Sequence, residues 1–147
     1  MNAAHLHLLV NHVSLFAVAF GAAALAYSLL KPSRDLRVAA SVLFLLAATF
    51  GWIAVESGEG AEEIVEHLPG VEESFIEEHE EAAEAAQASV FVLAICALFM
   101  EAVARWKASW LKKTQAFVLL IAVLSVGLIA RTAQLGGQIR HTEIRLS

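Results

Sequence analysis

The sequence holds one cysteine and two prolines in 147 residues, and charged residues make up only 17% of it. A lone Cys96 excludes a disulfide framework and a cysteine-built zinc site. It sits within an apolar stretch and is expected to be a small core residue. No Lys or Arg precedes the first apolar run, which argues against a secretory signal and for a retained helix. No serine or cysteine lies in a recognisable nucleophile motif, so hydrolytic catalysis is not expected except through a metal-activated water. The apolar stretches carry no charge in mid-span and no glycine-proline break of the kind that marks a transporter site.

What is abundant is apolar surface. The chain is 59% hydrophobic and its mean hydropathy is +0.66, more than a soluble domain of this length can hide. A helix needs about 20 mostly apolar residues to cross about 30 Å of hydrocarbon. Four stretches approach that length, giving expected spans of about 8–30, 36–55, 83–104 and 111–135. The expected fold is all-α: one membrane domain over residues 1–147, a four-helix transmembrane bundle with a short helical extracytoplasmic cap between helices 2 and 3. Gly21 to Ala24 on the first helix and Ala47 and Ala48 on the second let backbones approach closely.

Four spans put both termini on one side. Lys31, Arg34, Arg37, Arg105, Lys107, Lys112 and Lys113 then share the short-loop side, against Arg131, Arg140 and Arg145 on the other. Seven against three assigns the short loops to the cytoplasm and both termini to the extracytoplasmic side of an inner membrane. Trp106 and Trp110 flank the second basic loop as interfacial anchors. Of the 15 acids, 13 fall on the extracytoplasmic side, 12 of them between Glu56 and Glu84. The net charge of −5 is therefore an acidic outer cap over a basic inner rim, which argues against nucleic acid as a partner.

The cap, about 59–82, is rich in helix formers and is expected as two helical pieces. The first, about 61–68, should stop at Pro69-Gly70, and the second should run from near Val71 into the third span. Along it Phe75, His79, Ala82 and Ala86 recur at steps of three and four, which places His79 on the inward stripe. Glu77, Glu78, Glu81 and Glu84 fall largely outside it, as a solvated face.

All six histidines lie on the extracytoplasmic side of this topology. His12 sits about one turn inside the first helix, where an imidazole is a functional candidate by its cost. His5 shares its face, whereas His7 and Asn11 form an i, i+4 pair on a neighbouring side. Glu63 and His67 can point together at one ion, as can Glu62 and Glu66. After the fourth helix come Gln138, Arg140, His141 and Glu143, preceded by paired glycines expected to turn the backbone over the bundle. A bundle brings such ends within reach of one another.

The segments HLHLLVNH at 5–12, SGEGAEEIVEHLPGVEESFIEEHEEAA at 57–83 and RTAQLGGQIRHTEIR at 131–145 resemble an uncharacterised family of small bacterial four-helix membrane proteins over nearly the whole chain. A more distant likeness is to bacterial membrane domains that open with a His-Pro-Leu-Leu-Val-His run, from which this chain departs by lacking the proline. Both imply a four-helix membrane fold and neither implies a reaction.

Two functions are expected from these residues. One is a metal site at the outer end of the bundle, serving redox or sensing, with ligands among His12, Glu59, Glu63, His79 and His141 and support from Asn11, Gln138 and Glu143. Imidazoles with carboxylates suit Zn, Fe, Mn or Cu(II). A b-type haem held by His12 and His79 is the variant that needs no carboxylate. The other is a non-catalytic accessory subunit, partnered by the bilayer, by further copies of itself or by a larger membrane complex, whose histidines only hydrogen-bond within the fold.

Overall fold

A computed structural model describes residues 2–145 of the chain and, among them, contains helices and turns only. The helices are α1 (Ala3–Leu30), α2 (Arg34–Val65), α3 (Glu73–Trp106) and α4 (Leu111–Arg140), with single 3₁₀ turns at Ala108–Trp110 and Thr142–Ile144. All four are long and apolar enough to cross a membrane.

Local chemistry sets the ends. Asn2 caps α1, its side-chain oxygen accepting from His5 N at 2.9 Å, and Ser33 caps α2 by accepting from Leu36 N at 3.3 Å. Between α2 and α3 the chain reverses at Pro69-Gly70, where Gly70 has a φ of 81° that a side chain would strain.

The region expected as a cap is helical but is built differently. Its first piece is no separate helix: α2 runs unbroken through Gly58 and Gly60 to Val65. Those glycines are tolerated because they face α1. A Cβ on Gly60 would lie 2.7 Å from the Cβ of Ala3, and one on Gly58 would lie 3.6 Å from His7 Nδ1. The second piece does run into α3, as expected. A 32-residue α2 is about 48 Å long, more than the hydrocarbon needs, so both helices carry a polar extension.

α1 packs on α2 and α4, and α3 on the same two, leaving α1 and α3 on one diagonal. The centre is apolar: Val18, Leu25, Phe44, Val90, Leu93, Met100 and Val118 are fully buried. Cys96 is half-buried and packs against this cluster, in keeping with a core role. Gly21 is there because of Phe44, whose ring edge would lie 2.5 Å from any Cβ on it. Outward, Phe16, Phe20, Ile95, Phe99, Phe117, Leu120 and Leu124 are exposed, as lipid-facing side chains would be.

Polar contacts tie the hairpins together. Gln115 donates to Ser28 Oγ at 2.9 Å and Gln87 donates to the Ala48 carbonyl at 2.9 Å. At the lysine-rich end Arg37 grips Glu101 with two hydrogen bonds of 3.0 and 3.1 Å, and Ser41 Oγ adds a third to the same carboxylate at 3.1 Å.

Candidate functional site

The opposite end of the bundle carries the histidines. On α1 the buried stripe contains Val10, Ser14, Ala17, Val18, Gly21, Leu25 and Ser28. Extended by one heptad it reads His7, Ser14, Gly21, Ser28, so His7 and not His12 begins the inward face. His12 lies with Phe16, Phe20 and Tyr27 on the exposed face. The expectation that His12 points into the bundle is therefore corrected. An imidazole this near the helix start can sit where water or headgroups solvate it, so its depth was no guide to its direction.

His7 and His79 are both half-buried, and their rings meet across the α1/α3 diagonal, with centroids 6.3 Å apart and planes at 80°. Each is fixed by its own hairpin. His7 Nδ1 lies 2.8 Å from the Ala54 carbonyl of α2, and His79 Nδ1 lies 2.9 Å from the Thr132 carbonyl of α4. A carbonyl only accepts, so in both rings Nδ1 carries the proton and donates. Nε2 is left with its lone pair, the arrangement by which a supporting hydrogen bond orients a metal-ligating histidine.

The two hairpins use one device. In each, the carbonyl that receives the imidazole is followed four residues later by a glycine: Ala54 by Gly58, and Thr132 by Gly136. Residue i+4 is the next one up the same helix face, so a missing side chain there leaves the carbonyl approachable. Gly136 is the stricter of the pair, since a Cβ on it would lie 2.9 Å from His79 Cε1. The paired glycines do not turn the chain, as the sequence suggested; α4 stays helical through Arg140.

One turn inward from His7, Asn11 is half-buried and its Oδ1 is, among the described residues, the one buried side-chain N or O atom without a hydrogen-bond partner. Below it Ser14 and Gln87 close on Gly51: a Cβ there would lie 3.2 Å from Ser14 Oγ and would collide with Gln87 Oε1. The site is a polar pocket of two imidazoles and a carboxamide, closed beneath by the apolar core.

The other expected ligands stand apart. Glu59 and Glu63 are exposed on α2. His141 is exposed and pairs with Glu143, 2.9 Å from Nδ1 to Oε1. That carboxyl is held below the usual carboxylate range by its own backbone N–H and then by His141. His67 is exposed beside Glu66, and His5 is exposed near the start of α1. Gln138 is half-buried and contributes its main-chain carbonyl to Arg145 Nε at 2.7 Å. Among the described residues no three His, Cys, Asp or Glu side chains converge to hold a metal ion.

Arg145 carries the contact that sequence reasoning missed. Its guanidinium also donates to the carbonyls of Ile139 and Gly70 at 2.9 Å and to Glu72 at 3.0 Å, and it lies 4.3 Å from the Phe75 ring centroid. The end of the chain is thereby strapped across the turn that joins α2 to α3, beside the histidine end.

No protein-family model, no curated protein and no solved structure matches this chain.

Proposed function

We propose that this chain is an integral membrane protein that holds a transition-metal centre between His7 and His79 at the extracytoplasmic end of its bundle, for redox or ligand sensing. The observation that carries the reading is the pair of imidazoles, each with Nδ1–H spent on a carbonyl and Nε2 free, facing each other from opposite helices. Two metal–nitrogen bonds of about 2 Å and two ring radii of about 1.2 Å span roughly 6.4 Å, close to the ring separation. Asn11 Oδ1, buried and unpartnered, is the natural third donor. Two nitrogens and one neutral oxygen suit Zn, Cu(II) or Fe(II) and leave a coordination position for an outside ligand. The bias of Lys and Arg toward the other end supports the inner-membrane orientation.

A b-type haem is the second reading. It gains support because Glu59 and Glu63 are turned away, which leaves two imidazoles as the ligand set.

Purification from native membranes in mild detergent without a histidine tag, followed by visible spectroscopy and metal quantification, tests both. Stoichiometric metal, or a Soret band, is expected to disappear in His7→Gln and His79→Gln and to survive in His12→Gln. A folded protein free of metal and colour would overturn the proposal and leave the accessory-subunit reading.

A further inference from the structure

The lysine-rich end of the bundle carries a charge pattern that the histidine site does not use. The turn from α3 to α4, residues 105–113, contains Arg105, Lys107, Lys112 and Lys113, all exposed. Among the described residues none of these four is ion-paired with a carboxylate. The nearest acid on either element, Glu101, is consumed by Arg37 and Ser41, and α4 has no acid in its first turn. Lys31 and Arg34 of the facing turn are exposed as well, against the single carboxylate of Asp35. Self-repulsion on this scale calls for anions from outside the chain.

Two tryptophans say where those anions lie. Trp106 is 82% and Trp110 58% exposed, an extent that water would disfavour and that a headgroup layer suits, since indoles collect at that level. Lys107 Nζ sits 5.6 Å from the Trp110 ring centroid, and Lys31 Nζ 5.7 Å from that of Tyr27. The ammonium groups thus stand at the depth of the aromatic belt, where phospholipid phosphates are found.

We propose that the 105–113 turn is a binding surface for anionic phospholipid headgroups, with Arg105, Lys107, Lys112 and Lys113 meeting the phosphates and Trp106 and Trp110 anchoring beside them. The inference rests on the membrane reading of the four helices and not on the metal centre.

The test uses the full chain carrying Trp52→Phe, which leaves Trp106 and Trp110 as the indoles. It is reconstituted into phosphatidylcholine vesicles doped with either brominated phosphatidylglycerol or brominated phosphatidylcholine at the same mole fraction, and tryptophan quenching is read. Quenching by brominated phosphatidylcholine reports insertion alone, so failure of the membrane reading and failure of this one are distinguishable. The expected result is stronger quenching by the anionic lipid, with apparent affinity falling about fivefold, the equivalent of about 1 kcal/mol, for each cation removed in Lys112→Gln/Lys113→Gln and Arg105→Gln/Lys107→Gln. These side chains are exposed, and unchanged helicity by circular dichroism confirms folding of the variants. Equal quenching by both lipids, an anionic preference that persists with all four cations removed, or one abolished by inorganic phosphate at equal ionic strength would each overturn the proposal.

Discussion

His79 rests directly over Gly136, its Cε1 only 2.9 Å from where a Cβ would stand, while its Nδ1 donates to the Thr132 carbonyl one turn below. Gly136→Ala is therefore expected to push the imidazole off its carbonyl, costing about 1–3 kcal/mol as overpacking does. Gly58→Ala, whose Cβ would make an ordinary 3.6 Å contact with His7, should be neutral or slightly stabilising because alanine is the better helix former. Thermal or denaturant unfolding of the two variants side by side checks the contrast. Equal effects would mean that the glycine device is not what seats His79.

Asn11→Leu should separate stability from binding. Removing an unpartnered buried acceptor relieves a penalty of about 1–3 kcal/mol, so the metal-free variant should unfold later than the parent. If Asn11 Oδ1 is a donor to the metal, the same substitution should weaken metal binding by about 10- to 100-fold. Calorimetric titration with Zn or Cu(II), set beside unfolding curves, reads both.

The Arg37–Glu101 pair is mostly withdrawn from solvent, with side-chain exposures of 11% and 22%. Removing one partner strands the other, so Arg37→Gln or Glu101→Gln should each cost about 3 kcal/mol. The double variant should cost clearly less than the sum. Additive losses in a double-mutant cycle would show that the two residues act independently.

Arg145→Ala should loosen the 66–72 turn without unfolding the bundle, since its hydrogen bonds reach Gly70, Glu72, Gln138 and Ile139 but no core residue. Faster amide exchange confined to that turn and to the end of α4 is the expected readout. Arg145→Lys should not rescue it, because one ammonium cannot reproduce the planar fork that serves four acceptors.

Hydropathy alone was enough to read the four long helices, because a span must satisfy every backbone group internally and so leaves a long apolar run. The inward stripe of α3, with Phe75, His79, Ala82 and Ala86, was likewise legible from steps of three and four. The partner of His79 was not. His12 stood out through its depth in α1, yet the seven-residue recurrence of His7, Ser14, Gly21 and Ser28 was the better signal, since small and polar residues mark the helix face that closes on a neighbour. The glycines of α2 and α4 were equally ambiguous: i+4 from a carbonyl, glycine opens an approach, but the same residue in a loop opens a turn.

The sequence by itself determined that this chain forms four apolar helices with cations gathered in the two short turns and acids near the long one, because those properties are sums over residues. Only the tertiary structure decided that His7 faces His79, that Glu59, Glu63 and His141 stand apart from them, and that Arg145 straps the turn at Gly70. Each of those depends on the rotation of one helix about its axis relative to another. Such rotations are set by which small residues let neighbours close in, Gly21 under Phe44 and Gly136 under His79, and that choice exists only once the helices are packed.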